Sequence, residues 1–422
     1  MIMKKLFCYM FMFAALLTLT TACSDDKDEE PKKEQPEQPD NESVEVVEAK
    51  LSPKEFSTAV KGSNAFTLSL IRKLQDANYG NKSILCSPLS ASYALGIAAQ
   101  GADQQTVNEI TNVLKLPTGD IDKMNQFFTY MMEKAAVRDK DVIIKIANAF
   151  FLDARMGTDL DFNSNFKNSL VQNYKAKVEL LNFGDPNTVG YINNWCNEST
   201  NGMIPKIINN LPNESICILL NAIYFKGIWT YPFAPYLTKP GTFYLENDNS
   251  VELQFMYKEA VLPYTETISF QAIQLPYGNG DYSMTILLPG NMGIRGLLGD
   301  LSSSVLDTVM EQLKQNKKTM KLYMPKFKTS SEIDLMSVIT LFKKPLPNVT
   351  NVTDMNILIN YLTQKVIINV DEKGTEGGAV TMGTNTFGIS DFLTLKLDHP
   401  FLYLISEKET GAIFFAGIYC GD

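Results

Sequence analysis

Apolar residues recur along the chain at two spacings, one typical of helices and one typical of strands. The helical spacing predicts helices over residues 54–77, 106–114, 121–137, 161–173 and 305–315, a helix that begins at Pro88, and one over 187–209 that Gly202 interrupts. Continuous or alternating apolar runs predict strands over 141–152, 176–183, 216–228, 365–370, 400–405 and 411–417, and a junction of two strands over 321–327. These elements do not alternate as βαβ units, so we expect an α+β chain.

The segment from Asp371 to Ser390 separates strong strands and has an unusual composition. Its five glycines would weaken an ordinary strand. It has no proline, however, and no charged residue from Gly377 to Ser390, although exposed strand edges usually carry such residues to prevent further pairing. If residues 375–385 formed a strand, one of its faces would carry only small or modest side chains. The pattern therefore allows two interpretations, a glycine-rich surface loop or a segment that can join a sheet.

Several blocks of sequence resemble the serpins, the serine protease inhibitors, and they occur in the order expected for that family. Glu372-Lys-Gly-Thr-Glu376 is similar to the hinge of the serpin reactive-centre loop. The other blocks lie at residues 81–90 with 98–102, at 221–229 with 232–233, at 399–401 and at 415–417. The resemblance covers roughly residues 53–420, so it spans a whole serpin body.

The resemblance implies both a fold and a mechanism. The fold would have three β-sheets, including a large mixed sheet A, about eight to nine helices and an exposed reactive-centre loop. The protein would be a suicide substrate rather than an enzyme: a protease cleaves the loop, which then inserts between the third and fifth strands of sheet A. Gly377 and Gly378 stand where inhibitory serpins favour alanine, and ordering glycine costs about 0.5–1 kcal/mol more. A non-inhibitory serpin that acts as a binding or chaperone module is therefore the alternative.

The resemblance also assigns individual residues. The hinge comprises Glu372, Gly374, Thr375, Glu376, Gly377, Gly378 and Ala379. The shutter, a polar cluster where the strands of sheet A must part, comprises Ser87, Ser90, Asn221 and Gln364, and Trp229 marks the breach where loop entry begins. The family usually has histidine where Gln364 stands. Glutamine can donate and accept hydrogen bonds, so we expect it to maintain the network without becoming charged.

The reactive bond has two candidate positions. Counting from the hinge places it at Gly388–Ile389, and counting back from Pro400 places it at Ile389–Ser390; Phe387 just upstream is a further point of attack. No lysine or arginine occurs from Gly374 to Leu395, which disfavours a trypsin-like target. We therefore expect a serine protease of the elastase-like or chymotrypsin-like type as the partner, with a cysteine protease as a further class.

Enzymatic chemistry has little support in the sequence. His399 is the only histidine, so a Ser-His-Asp triad would depend on it, and no G-x-S-x-G, P-loop, dinucleotide or HExxH motif is present. Cys86, Cys196, Cys217 and Cys420 form no CxxC pair, which excludes an ordinary zinc site. We expect buried thiols, no metal and no cofactor.

The N-terminal residues predict export and lipid attachment. Residues 1–22 combine two lysines with a short apolar run and read as a signal peptide, and Cys23 follows a small residue as in a bacterial lipobox. Residues 23–50 would be a lipidated cysteine and an acidic disordered tether that resembles the surface-export signal of some bacterial lipoproteins. We expect a lipoprotein of the outer membrane, on either face, including the cell surface. The alternative to lipid attachment at Cys23 is ordinary cleaved secretion, and the alternative to an export signal is a plain spacer.

The negative charge lies mostly in this tether. Residues 24–50 carry eleven acidic side chains and four lysines, a net charge of −7. Removal of residues 1–22, with their two lysines, would change the charge of the chain from −9 to −11, and the tether would hold −7 of that −11. Residues 51–422, which we read as one large domain with enough apolar residues for a sizeable core, keep only −4. Nothing in this balance favours nucleic acid as a partner, and we expect a monomer.

Overall fold

The computed structural model describes residues 51–77, 82–116, 119–157, 160–211, 215–335, 348–349, 351–353, 357–359, 361–375 and 392–422. The predicted signal peptide, Cys23 and the tether lie outside these residues, as do Glu376 to Ala379 of the hinge and Phe387 to Ser390 at the reactive bond. No helix in the described ranges is long and apolar enough to span a membrane. Those same ranges hold no cluster of three or more His, Cys, Asp or Glu side chains suited to a metal ion.

Eight α-helices lie within the described residues, and side-chain caps fix several of their starts. Ser87, Asp103 and Asp120 each accept a hydrogen bond from a backbone N–H in the first turn that follows. The predicted helix over 187–209 ends earlier than expected, at Ser199, and Gly202 beyond it has a φ of +83°. The helices are Pro53–Ala77 (α1), Pro88–Gln100 (α2), Gln104–Leu114 (α3), Ile121–Tyr130 (α4), Ser164–Tyr174 (α5), Thr188–Ser199 (α6), Gly293–Asp300 (α7) and Ser303–Gln315 (α8).

The strands contain most of the buried apolar runs seen in the sequence. The predicted junction over 321–327 is a break at Lys326 between two strands. The strands are Ile84–Cys86 (β1), Val142–Asp153 (β2), Lys177–Leu181 (β3), Cys217–Ile228 (β4), Lys239–Tyr244 (β5), Ser250–Glu266 (β6), Phe270–Tyr277 (β7), Tyr282–Pro289 (β8), Lys317–Pro325 (β9), Phe327–Asp334 (β10), Asn348–Val349 (β11), Ile357–Leu358 (β12), Leu362–Val370 (β13), Gly374–Thr375 (β14), Leu393–Lys396 (β15), Phe401–Glu407 (β16) and Ile413–Tyr419 (β17).

One sheet has six strands in the order β10-β13-β14-β4-β2-β3, and we call it sheet A. It is mixed, because β13 runs parallel to β4 and β2 runs parallel to β3, while the other pairs are antiparallel. Alternate residues of β2 and β4 reach two different cores. Phe150 and Leu219 belong to the main core, whereas Phe151 and Leu220 belong to a smaller cluster with Ile192 of α6. Sheet A is therefore a buried layer with apolar packing on both faces.

The second sheet has nine strands and continues through the long strand β6. Its order is β1-β17-β16-β8-β7-β6-β9-β15, with β5 paired to the other part of β6. Within the described residues, a third sheet consists of β11 and β12. The expected α+β fold with three sheets, one of them large and mixed, is confirmed. The four cysteines in the described residues are buried and free, as expected, and burial raises the pKa of each thiol.

Candidate functional site

Sheet A is split at the end of β13 that carries Val370. Lower down, β13 and β4 pair directly through six residue pairs, from Leu362–Leu219 to Ile367–Tyr224. Beyond the Ile367–Tyr224 pair, β14 lies between the two strands, and we call this gap the upper cleft. Thr375 pairs with Val370 on one side and with Gly227 on the other. The residues that follow β13 therefore already begin a new central strand, antiparallel to both neighbours.

A tight turn brings the chain back into the upper cleft. The Asp371 side chain accepts hydrogen bonds from the N–H groups of Lys373 (2.8 Å) and Gly374 (3.2 Å), which stabilises the reversal. Gly374 has a φ of +155°, and a Cβ there would lie 2.1 Å from the carbonyl oxygen of Gly227. Only glycine can approach β4 this closely without moving the strand.

Thr375 is fully buried at the point of entry. Its hydroxyl lies 2.7 Å from the hydroxyl of Tyr277, and the Tyr277 ring stacks on Trp229 with ring centroids 4.4 Å apart. The Trp229 indole N–H donates to the carbonyl of Asp371 (3.0 Å), and its backbone N–H donates to the carbonyl of Lys373 (2.9 Å). Two aromatic side chains thus hold both ends of the turn, and the buried hydroxyl of Thr375 has its partner.

Glu372 provides a further anchor for the turn. Its carboxylate accepts a hydrogen bond from Thr238 (2.7 Å) and lies 3.0 Å from the Lys326 ammonium. Burial alone would raise the pKa of Glu372, but the bond from Thr238, a backbone hydrogen bond and Lys326 outweigh it and lower that pKa. The carboxylate is therefore charged at neutral pH and ties the turn to the break between β9 and β10.

A buried lysine supports the same region. The Lys258 ammonium lies 4.0 Å from the ring centroid of Phe233 and donates to the carbonyl of Tyr231. Phe233 in turn donates its backbone N–H to the carbonyl of Glu372 (2.8 Å). Burial lowers the pKa of Lys258 to about 7, because no carboxylate in the described residues pairs with it.

The predicted shutter residues lie below the upper cleft in two separate groups. Gln364 of β13 accepts a hydrogen bond from the Ser87 N–H (3.1 Å) and donates to the Ser87 carbonyl (2.9 Å). The Ser87 hydroxyl donates to the carbonyl of Phe414 (2.8 Å) and caps α2 by accepting from the Ser90 N–H (3.2 Å). This group joins β13 to the start of α2.

The second group joins β4 to β2. The side-chain NH2 of Asn221 donates to Asn148 Oδ1 (2.6 Å), and the side-chain NH2 of Asn148 donates to the carbonyl of Tyr174 (2.8 Å). Although Gln364 and Asn221 are directly paired in the sheet, no hydrogen bond joins their side chains. Asn221 Oδ1 and Ser90 Oγ are buried and have no hydrogen-bond partner among the described residues. The Gln364 side chain therefore links β13 to the start of α2, and it does not bridge β13 and β4.

Sequence reasoning missed three residues that shape this site. Tyr277 contacts Thr375, Lys326 pairs with Glu372, and Asn148 binds Asn221, yet none stands in a recognisable motif. Asp371 could have been identified, because an Asp three residues before a Gly is a common turn pattern. His399, by contrast, contacts Asp398 (3.0 Å) and the Pro289 carbonyl (2.9 Å), so its hydrogen bonds go to a neighbouring residue and to the backbone.

These features define a class of protein whose central sheet receives part of its own loop between two parallel strands. The comparisons with known proteins agree with that description. The family model for "Serpin (serine protease inhibitor)" matches residues 61–421. The chain belongs to the serpin family, whose members are mostly protease inhibitors rather than enzymes.

The similarity extends over nearly the whole body. Iripin-2 of Ixodes ricinus is 29% identical over 381 residues, with 86% of this chain and 94% of that protein covered. Among solved structures, the thermophilic serpin tengpin in its native state has a TM-score of 0.76 at 27% identity and covers 89% of this chain and 96% of its own. Arabidopsis AtSerpin1 in its native stressed conformation has a TM-score of 0.75 at 25% identity, covering 87% and 98%.

Proposed function

We propose that this protein is a suicide-substrate inhibitor of serine proteases. The observation that carries the proposal is the position of Thr375, which lies between Val370 and Gly227 as the first inserted residue of a central strand. Below it, β13 and β4 are parallel and directly paired. An antiparallel strand placed between them would pair with both, so each inserted residue adds ladder hydrogen bonds.

The chemical steps follow from ordinary acyl transfer. The target serine attacks the carbonyl carbon of the scissile bond, and its proton passes through the protease histidine to the leaving amine. An ester forms as the peptide C–N bond breaks, which leaves the protease attached to the loop. The freed loop then extends the strand begun at Thr375. Each ladder hydrogen bond contributes about 1 kcal/mol, and a central strand of ten residues forms up to about twenty of them while the direct pairing of β13 with β4 is lost. Insertion would therefore supply on the order of 10 kcal/mol to displace the protease before water hydrolyses the ester.

The reactive bond and the target class are further parts of the proposal. Gly388–Ile389 and Ile389–Ser390 remain the two candidate bonds, with Phe387 adjacent to them. Small aliphatic and aromatic side chains at these positions favour elastase-like and chymotrypsin-like enzymes. A protease whose specificity pocket contains a buried acid needs a basic residue in the loop, and this chain has no lysine or arginine from Gly374 to Leu395. A cysteine protease, which also forms an acyl-enzyme, is the further target class.

We also propose where the inhibitor acts. A signal peptide over residues 1–22, lipid attachment at Cys23 and an acidic tether to residue 50 would hold the serpin domain at the outer membrane of a bacterial envelope, with surface exposure as one option. Replacing Cys23 with Ala should move the protein from the membrane fraction to the soluble fraction and leave inhibition unchanged. A variant that remains bound to membranes would exclude Cys23 as the anchor.

The inhibitory mechanism is tested by incubating the protein with an elastase, a chymotrypsin and, as the control, a trypsin. A covalent complex with one of the first two, stable on a denaturing gel, is the expected result. Mass spectrometry of the small C-terminal fragment should place its first residue between Gly388 and Asp391. Complete cleavage without any complex would instead favour the non-inhibitory binding or chaperone module.

A further inference from the structure

The nine-stranded sheet forms a half-open pocket, and two of its lining residues, Leu237 and Lys239, flank the Thr238 that bonds Glu372. Four strands in the order β5-β6-β9-β15 form this part of the sheet. At one end, the backbone N–H of Tyr244 on β5 donates to the carbonyl of Asp398, which follows β15 (2.7 Å). The two outer strands are thereby joined, and a cavity of about 510 Å³ lies between them. Its size falls within the roughly 300–1,000 Å³ of ordinary small-molecule sites.

The pocket has an aromatic wall. Phe255 and Tyr257 of β6 and Tyr323 of β9 all line it, and the rings of Tyr257 and Tyr323 have centroids 4.8 Å apart. Gly241 on β5 lets the Phe255 ring lie against the strand, because a Cβ at that position would approach the ring to 2.8 Å. Tyr257 donates its hydroxyl to Glu259 (2.6 Å) and so presents mainly its ring. Such a wall suits a planar aromatic ligand.

Two cations stand on opposite walls of the same pocket. Lys239 lies on β5 and Lys396 on β15, and both are exposed. Neither lysine forms an ion pair within the part of the chain that the structure describes, although the Lys396 ammonium lies 5.6 Å from the ring centroid of Tyr323. The one acidic residue in the lining, Asp398, lies 3.0 Å from His399 Nδ1. Lysines without carboxylate partners beside aromatic rings favour an anionic group on the ligand.

We propose that this pocket binds a planar aromatic carboxylate of one or two rings. The rings would lie against Tyr257 and Tyr323, and the carboxylate would reach Lys239 or Lys396. The proposal is independent of the inhibitory mechanism, since it uses neither the turn at Asp371 nor the paired strands β13 and β4.

Naphthalene-2-carboxylate is a suitable probe, and titration calorimetry on the full-length protein measures its binding. We expect saturable binding with one site. One of the variants Lys239→Gln and Lys396→Gln, the one that removes the lysine reached by the carboxylate, should weaken it about tenfold, the loss expected for one charged hydrogen bond in a half-open site. Thr242→Trp, which would fill the cavity from β5, should abolish it.

Two controls make the outcome decisive. Lys328→Gln removes an exposed lysine on β10 that is not part of the lining and should leave the affinity unchanged. The neutral naphthalene-2-carboxamide should bind at least tenfold more weakly than the acid. The proposal fails if no saturable binding occurs, if the pocket variants with unaltered melting temperatures bind as the parent does, or if acid and amide bind equally.

Discussion

The upper cleft and the lower contact between β13 and β4 are built from the same two strands, but their polar groups are satisfied to different degrees. In the upper cleft, Thr375 has two strand neighbours, its hydroxyl meets Tyr277, and Trp229 holds the turn by two hydrogen bonds. In the lower contact the strands are closed, yet Asn221 Oδ1 on β4 and Ser90 Oγ on the adjacent helix α2 are buried without partners among the described residues.

The difference indicates a direction for opening. Each unpaired buried polar atom costs about 1–3 kcal/mol, so the closed lower contact is less stable than its apolar packing alone would suggest. The upper cleft is already open and well bonded. A strand that grows from Thr375 would therefore start from a stable entry point, and its hydrogen bonds to both neighbours would replace the direct β13–β4 pairing that it separates.

Thr375→Arg should produce the largest effect, because it would break the entry point. The site is fully buried, and a guanidinium there would have to displace the contact with Tyr277. Burying an unpaired charge costs several kcal/mol, so the loop could not extend the strand. We expect the variant to be cleaved by the target protease without forming a covalent complex.

Thr375→Val is the matched control for this change. It keeps the β-branched shape and removes only the hydroxyl, so most of the complex should still form. Equal yields of complex from the Arg variant and the parent protein, measured by gel densitometry, would contradict insertion at Thr375.

Glu372→Gln should weaken the anchor of the turn by about 1–3 kcal/mol, the value of a charged hydrogen bond to a buried carboxylate. The half-exposed Lys326 adds little, because solvent screens its side of the pair. Since the pKa of Glu372 is lowered in the folded protein, its contribution is complete above the unfolded value of about 4.3 and is lost as the pH falls through the lower folded value. Urea unfolding should therefore separate variant and parent at pH 7, and the difference should shrink as the pH falls below about 4.3. A constant difference across this range would exclude the ionised carboxylate as the cause.

Ser90→Ala should have the smallest effect and the opposite sign. It removes a buried hydroxyl that has no partner in the described structure, so the intact protein should gain about 1 kcal/mol. Ser87→Ala is the contrasting variant, since the Ser87 hydroxyl donates to Phe414 and caps α2. It should lower the melting temperature by a similar or larger amount. If both variants shifted the melting temperature in the same direction, the unpaired Ser90 hydroxyl would not be destabilising.

Periodicity predicted most of the fold because long apolar runs in this chain coincide with buried elements. The strand at 216–228 and the helix at 54–77 were located to within a residue or two of β4 and α1. The helix expected over 187–209 was too long, since its C-terminal part follows a different path after Ser199. The break between β9 and β10 was visible from the sequence, although its role as the anchor of Glu372 was not.

The geometry of the site depended on contacts that no local pattern reveals. Residue 374 must be glycine because the carbonyl of Gly227 on another strand leaves no room for a Cβ. The hydroxyl of Thr375 has its hydrogen-bond partner, Tyr277, on a different sheet. Gln364 was expected to maintain one shutter network. Its side chain instead forms hydrogen bonds with the backbone of Ser87, and Asn221 bonds to Asn148 in a separate group. Which of several possible hydrogen-bond partners a side chain contacts depends on distances in the folded protein. The sequence alone could therefore identify the residues of the site but not their pairing.

The most direct test of the account is the thermal stability of the protein before and after cleavage within residues 376–391. A thermolysin-type metalloprotease is suitable because it forms no acyl-enzyme and leaves the cleaved protein free. About ten new ladder residues at roughly 1 kcal/mol each, with about 1–2 °C per kcal/mol for a domain of this size, predict a rise in melting temperature of at least ~10 °C. Cleaved Thr375→Arg should show no such rise. If the cleaved parent protein melted at the same temperature as the intact one, the loop would not insert between β13 and β4, and the central claim would be wrong.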